Sequence, residues 1–242
     1  MAESDISTPE SAGMVKKKGR FAIDLGHPLP ELDSRSADAF AASSEKDTSL
    51  AFALLCHVGA IPRWQAIRRM IGKEIDGGLT LIDADRIFLP HEGRHRLALI
   101  YKRPAGGDVF RLKRETLSAL APALAIKRYL KPAVAALKEL HARDITHRAV
   151  RVDNFIYPGG QAEMILGDCL TAPPGSEQPR TLEPLPMAAT DPLGRGAGTP
   201  EDDLFTLGTL LLELCLGHAL APPGEDGKLL TDRLELGTVN AY

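Results

Sequence analysis

Residues 140–157 read Leu-His-Ala-Arg-Asp-Ile-Thr-His-Arg-Ala-Val-Arg-Val-Asp-Asn-Phe-Ile-Tyr, and residues 164–168 read Met-Ile-Leu-Gly-Asp. A glycine-rich turn separates the two pieces. Four polar side chains of this stretch are central to its interpretation: His147, Arg148, Asn154 and Asp168. The rest of the chain is interpreted outward from them.

These residues resemble the catalytic segment of protein kinases, which reads His-Arg-Asp-Leu-x-x-x-Asn and is followed by a strand and Asp-Phe-Gly. His147, Arg148, Asn154 and Asp168 stand where that family places them. The position of the catalytic aspartate is Ala149, whose side chain cannot accept a proton. The chain is therefore similar to the protein kinase-like superfamily, in its bacterial serine/threonine form, and specifically to a pseudokinase.

The resemblance implies an α+β fold with two lobes, a small β-rich lobe and a helical large lobe. We expect a disordered leader at residues 1–20, the small lobe at residues 21–103 and the large lobe at residues 104–242. The large lobe would be incomplete at Tyr242. The match is specific between residues 137 and 217, and before that it depends on the order of the elements.

In the family, Asn154 and Asp168 correspond to the two magnesium-binding positions, which would hold magnesium and ATP. The alternative is that Asn154 caps a loop and Asp168 fixes a turn. No catalytic residue is expected, because alanine at the position of the general base removes roughly 10²–10⁴-fold of the rate. Asp153 precedes Asn154 directly, and we interpret it as structural.

The family gives structural roles to the neighbouring residues. His147 is expected to be a buried core histidine, and Arg148 is expected to pair with a charge on the following segment. Arg151 replaces a lysine that meets the transferred phosphate, and it suits a carboxylate or phosphate clamp better. Cys169 and Leu170 replace the phenylalanine and glycine after the metal aspartate, so the turn should be stiffer.

A strong helix signal begins at Thr199, which suits the N-cap, and continues through Pro200 at the first helical position. The following residues are apolar on nearly every side, which predicts a helix buried in a core and ending near Gly217. In the family, the matching Asp203 accepts hydrogen bonds from the backbone of the catalytic loop. We expect Asp203 to be structural.

The small lobe lacks three features of an active kinase. Its candidate phosphate loop, residues 25–30, contains a single glycine and two prolines, which have no N–H to donate. Leu55 or Cys56 stands where the third strand should carry a lysine. A predicted helix at residues 62–71 has no acidic residue to pair with that lysine, and losing both partners together leaves no buried unpaired charge.

Other elements follow from pattern. Further strands are expected at residues 21–23, 39–42, 50–56, 79–89 and 95–101, and a helix that Pro132 starts or kinks should end near Ala142. Residues 171–198, rich in proline and glycine, are expected to form a long loop.

The composition excludes several classes of protein. With 242 residues, 44% of them hydrophobic, and a net charge of −3, the chain indicates a globular protein without the strong field that nucleic acid or an anionic membrane would need. No apolar run has the length of a membrane span. The three widely spaced cysteines indicate reduced thiols, and hence a cytoplasmic location.

The leading hypothesis is a catalytically impaired, regulatory kinase-like domain that binds a protein partner. One alternative is an atypical phosphotransferase that binds a magnesium nucleotide through Asn154 and Asp168. A further alternative, a small-molecule phosphotransferase of the antibiotic-kinase type, needs an aspartate in the same loop, and Ala149 argues against it equally.

Overall fold

The computed structural model describes residues 14–16, 21–44, 50–104, 109–159 and 163–220, without the side chains of residues 14–16, Phe110 and Glu115. The first half is a six-stranded antiparallel sheet with the order β1-β2-β3-β4-β6-β5. Its strands are β1 (Met14–Lys16), β2 (Phe21–Pro28), β3 (Ala37–Ser44), β4 (Ala51–Cys56), β5 (Leu81–Leu89) and β6 (Arg94–Lys102). Helix α1 (Trp64–Met70) lies between β4 and β5 in the chain and packs on the sheet.

The second half is helical around a small sheet with the order β7-β8-β9. Its strands are β7 (Phe110–Arg111), β8 (Phe155–Tyr157) and β9 (Ile165–Leu166). Its helices are α2 (Pro122–Ala125), α3 (Lys131–His141), α4 (Leu185–Ala189) and α5 (Pro200–Leu216). A β-rich half followed by a helical half confirms the predicted fold class, while the boundary between residues 103 and 104 stays a prediction. In these described ranges, every helix is too short or too polar to cross a bilayer.

The leader prediction is corrected at one place. Met14–Lys16 forms β1 and pairs with residues 22–24 of β2, because the outer edge of β2 offers unpaired backbone groups. The other leader residues lie outside the described part of the chain.

Pro132 lies at the start of α3 and does not break the helical run that leads into it. Helix α2 passes directly into a π-helical turn at Ile126–Leu130, which passes into α3. Inside a helical run a proline lacks the N–H that an α-helix would use, and its ring would meet the carbonyl one turn earlier; the π-turn before Pro132 admits the wider spacing that accommodates it.

Helix α5 has the predicted ends. The backbone N–H of Thr199 donates to Asp202 at 2.7 Å, and Gly217 ends the helix in the left-handed region, at φ 77°. The prediction that α5 is buried on nearly every side is wrong for one face. Its described neighbours are α2, the π-helical turn, α3 and a 3-10 turn at Arg180–Leu182, and they leave that face uncovered. The exposed face carries Leu204, Phe205, Leu212 and Leu216.

Candidate functional site

One buried carboxylate at the start of α5 fixes the segment that follows α3. Asp203 has no exposed surface, and its oxygens accept hydrogen bonds from the backbone N–H groups of His147 at 2.7 Å and Arg148 at 2.8 Å. The ring Nε2 of His141 lies 2.9 Å from the same carboxylate. Burial opposes ionisation, but the hydrogen bond from His141 and the other donors hold the pKa of Asp203 below its usual range. The charged carboxylate therefore attaches the loop to α5.

His147 is buried and neutral. Burial lowers its pKa to about 4. The N–H of Ala149 lies 3.2 Å from Nδ1, which must then be an acceptor, so Nε2 carries the proton toward the carbonyl of Gly167 at 3.2 Å. The histidine thus connects the two ends of the segment and has no free nitrogen for proton transfer.

Arg148 adopts a left-handed backbone conformation, with φ 56°, and forms a fully buried ion pair. Its guanidinium lies 2.9 Å from Glu183, and Arg195 approaches the same carboxylate at 3.6 Å. Glu183 stands on the segment after Asp168, where the resemblance places the charge that pairs with this arginine. A permanent carboxylate occupies that role, so the pairing needs no added phosphate.

The carboxylate of Asp168 is enclosed by donors from its own chain. Oδ1 accepts from the Tyr101 hydroxyl at 2.6 Å and from the N–H of Leu170 at 3.1 Å. Oδ2 accepts from the N–H of Thr171 at 3.1 Å and from its hydroxyl at 2.5 Å. Burial and the negative charge of Asp168 raise the pKa of Tyr101 well above its usual range, so the hydroxyl stays a donor. Both oxygens therefore have two donors each.

Asn154 lies directly beside Asp168 but faces the backbone. Its Nδ2 donates to the carbonyls of Ala149 at 2.9 Å and Asp168 at 2.8 Å. Its Oδ1 is buried and has no hydrogen-bond partner among the described residues. That oxygen lies against Gly167, where an added Cβ would come within 2.4 Å of it. Glycine is needed there to admit the amide.

These two residues do not fit a magnesium nucleotide as they are arranged. Magnesium requires oxygen ligands at about 2.0–2.1 Å in an octahedral arrangement. The oxygens of Asp168 are already hydrogen-bonded, and Oδ1 of Asn154 has no exposed surface. Among the described residues, no group of three or more histidine, cysteine, aspartate or glutamate side chains is arranged to hold a metal either.

Apolar side chains fill the space between the halves of the molecule. Leu32, Phe52 and Leu54 have no exposed surface and belong to one buried cluster that continues into α3 and α5. The ring of Phe52 stacks on Tyr101, with centroids 5.5 Å apart. The cavity beside Asp168 has a volume of about 20 Å³, which holds one or two waters at about 10–15 Å³ each.

Strand β4 places the two candidates for the lysine position on opposite faces of the sheet. Leu55 points to the far side of the sheet with Ala51 and Ala53, whereas Cys56 points to the side of Asp168 with Phe52. Burial, reinforced by the charge of Asp168, raises the pKa of the Cys56 thiol to about 12. The side chain facing Asp168 from this strand is therefore neutral.

The turn between β2 and β3, residues 29–36, closes the front of this site; we call it the front turn. Its short 3-10 helix at Pro30–Leu32 places Leu32 in the core. The carbonyl of Leu32 accepts a hydrogen bond from Arg111 at 3.1 Å. Arg35 donates to Asp153 at 2.8 Å, and Ser34 lies 3.1 Å from the hydroxyl of Thr171. The front turn thus contacts the loop of residues 147–154 and the segment after Asp168.

Asp153 is not free to replace the missing base. Arg35 pairs with one of its oxygens at 2.8 Å and Arg151 with the other at 3.0 Å. Burial opposes ionisation, but the charges of these two arginines hold the pKa of Asp153 below its usual range. Arg151 is itself 2% exposed and lies 3.3 Å from Glu177. The predicted clamp residue therefore holds carboxylates of its own chain.

Several residues of the site escape the sequence patterns. Tyr101 ends a strand and carries no motif, and Leu32 is one leucine among polar turn residues. Arg111 brings a buried cation whose charge reaches Asp168, and burial lowers its pKa to about 10. Glu183 does have a sequence signal, since Leu182-Glu183-Pro184 is a trace of the Ala-Pro-Glu motif that ends a kinase activation segment.

No protein-family model matches the chain, and no curated protein matches it. Solved structures do match its fold. The Mycobacterium tuberculosis PknI kinase domain aligns with a TM-score of 0.62 and 13% identity, over 96% of this chain and 93% of that chain. The Drosophila melanogaster PAN3 pseudokinase aligns with a TM-score of 0.60 and 15% identity, over 92% of this chain and 59% of that chain. At these identities the likeness concerns the fold, and on that ground the chain has the protein kinase-like fold.

Proposed function

We propose that this kinase-like domain is a pseudokinase with a closed nucleotide site, and that it acts as a regulatory module by binding a protein partner. The observation that carries the proposal is the saturation of Asp168 by donors from Tyr101, Leu170 and Thr171. A carboxylate in this state has no free oxygen lone pair directed at a metal.

The filled space behind the front turn supports the same conclusion. A nucleotide would have to displace Leu32, Phe52 and Leu54, and each buried apolar side chain of this size stabilises the fold by roughly 1.5–3 kcal/mol. Ala149 supplies no base, and Cys56 supplies no cation. Opening the site would therefore cost several buried contacts without forming a catalytic arrangement.

We propose that the partner binds beside the N-terminal end of α1. Val58, Ile61 and Trp64 are 63%, 61% and 44% exposed. A groove of about 370 Å³ runs next to them and is lined in part by Arg63, Arg69, Trp64 and Pro174. Neighbouring exposed apolar side chains beside a groove are typical of a protein interaction site.

The charge of this groove favours an acidic partner segment with an apolar anchor. Arg63 donates to the backbone carbonyls of Thr146, His147 and Cys169, and Arg69 to that of Arg143. In the described part of the chain no carboxylate lies within ion-pair distance of either arginine. Asp144 also lines the groove, so two arginines face one aspartate there and a net positive charge remains. A partner carboxylate would be attracted there. We place the protein in the cytoplasm because its three cysteines are free thiols.

Photo-crosslinking tests the partner surface. Benzoylphenylalanine at position 64 should give a discrete protein adduct in the cells that make this chain. The matched control is the same probe at Phe88, which is 48% exposed on β5. Equal adducts at both positions, or none at 64, would contradict the proposed surface.

The alternative, an atypical phosphotransferase, is favoured by one observation: Nδ2 of Asn154 lies 2.8 Å from the carbonyl of Asp168, so the two candidate ligands are neighbours. It predicts phosphate transfer that Asp168→Ala abolishes. We expect no such transfer from the purified chain with any protein substrate.

A further inference from the structure

The helical half contains a second cavity, whose lining residues differ from those of the cavity beside Asp168. Its volume is about 140 Å³, and it lies between the loop before α2, the π-helical turn and the end of α5. Its apolar wall includes Leu117, Leu120, Met164 and Leu214. An engineered apolar cavity of about 150 Å³ binds benzene, so this space suits a molecule with a single ring.

The lining of the cavity includes the phenol of a buried residue, Tyr129. Tyr129 is 2% exposed, and its ring packs edge-on against Phe155 with centroids 5.2 Å apart. No described residue forms a hydrogen bond with its hydroxyl. Burial raises the pKa of Tyr129 to about 12, so the hydroxyl keeps its proton and can donate. The hydroxyl is therefore available to a molecule in the cavity.

A cation stands beside that hydroxyl. Arg128 also lines the cavity, and its positive charge acts on the Tyr129 phenol. Its guanidinium lies 5.9 Å above the centre of the Tyr157 ring. In the described ranges no carboxylate is within ion-pair distance of Arg128. The guanidinium can therefore accept an anionic group together with the Tyr129 hydroxyl.

We propose that this cavity binds a small carboxylic acid with one aromatic or branched hydrocarbon body. The ligand's carboxylate pairs with Arg128 and accepts a hydrogen bond from the hydroxyl of Tyr129. Its hydrocarbon part packs among Leu117, Leu120 and Leu214. Thr116 and Ser118 are exposed and line the same cavity, which places its mouth at the loop before α2. This site is independent of the proposed partner surface and of the closed nucleotide site.

Ligand-observed NMR with benzoate and benzamide tests the site, since the two probes differ in charge and share a ring. Benzoate should bind at millimolar concentration and at least about tenfold more tightly than benzamide. Arg128→Gln should weaken benzoate binding by about tenfold and remove its advantage over benzamide. Tyr129→Phe should weaken it several-fold. Lys127→Gln, an exposed neighbour outside the cavity, is the matched control and should change nothing.

Filling the cavity locates the binding. Leu117→Trp should abolish binding of both probes while the melting temperature stays near that of the unaltered chain; if that variant does not fold, Leu120→Phe takes its place. Absence of benzoate binding to the unaltered chain overturns the proposal. Equal binding to Arg128→Gln overturns it too, as does binding that survives the filled cavity.

Discussion

Asp203 and Asp168 are both buried carboxylates with several internal donors, yet they have different consequences for this fold. Asp203 accepts hydrogen bonds from the backbone of residues 147–148, and this role is structural. Asp168 stands at the position of a metal ligand and is held by Tyr101 and Thr171. Under the proposed function, the same kind of hydrogen bonding that preserves the structural carboxylate of Asp203 leaves the carboxylate of Asp168 without an oxygen free for a ligand.

The largest effect is expected at the structural carboxylate. Asp203→Ala leaves the N–H groups of His147 and Arg148 buried without acceptors, and should cost about 3–5 kcal/mol in the free energy of unfolding. Chemical denaturation measures it. Asp202→Ala is the matched control, since it removes a helix cap worth about 1 kcal/mol and a 4.0 Å approach to Arg148 but leaves the loop N–H groups their acceptor. Equal losses in the two variants would break the comparison.

Acid should destabilise the loop between the two carboxylates through His147. Its pKa is about 4 in the fold against 6.5 in the unfolded chain, so between these values the unfolded chain binds a proton that the fold does not. Stability is full above pH 6.5 and falls by about 3 kcal/mol as the pH drops toward 4. Urea unfolding of the unaltered chain and of His147→Gln from pH 7 to 4 measures it; a profile equally steep in the variant would contradict the assignment.

At the second carboxylate a smaller effect is expected. Tyr101→Phe keeps the ring stacked on Phe52 but removes one donor to Asp168, which should cost about 1–3 kcal/mol. The same variant sharpens the comparison of Asp168 with Asp203, because it leaves Oδ1 of Asp168 with one donor, the N–H of Leu170. Calorimetric melting gives the loss. An unchanged melting temperature would mean that the tyrosine hydroxyl does not hold Asp168.

The smallest change in stability is expected at the half-exposed ion pair between the front turn and Asp153. Arg35 is half-exposed, so its pair with Asp153 should contribute only about 0–1 kcal/mol, and less at high salt. Arg35→Ala should therefore leave the front turn closed by Leu32. Amide hydrogen exchange of residues 29–36 checks this. Rapid exchange in the variant alone would show that the ion pair, and not the buried leucine, holds the turn.

The sequence predicted the parts of this fold that depend on local pattern. Five of the six strands of the larger sheet and the ends of α5 follow from apolar runs, turn residues and capping, and the Asp203 anchor follows from the resemblance. The exposed face of α5 was missed because its leucines are apolar whether or not a neighbour covers them. Helical periodicity cannot report what packs on a helix.

The sequence predicted the site where a motif position carries a different residue from the family's. It did not predict the contacts that residues outside any motif make with the site. The absence of a base at Ala149 can be read directly from a motif. The contacts of Tyr101 and Leu32 with distant segments depend on three-dimensional packing, and neither residue differs in type from an ordinary core side chain. The closed state of the cleft therefore becomes visible only with the fold.

Thermal melting with millimolar Mg-ATP tests the closed site most directly. A ligand present at a hundred times its Kd would stabilise the fold by about 2.7 kcal/mol, which is easily detected. With Asp168 saturated and the cleft filled, we predict no shift in melting temperature, with or without magnesium. A saturable, magnesium-dependent shift that disappears in Asp168→Ala would contradict the account.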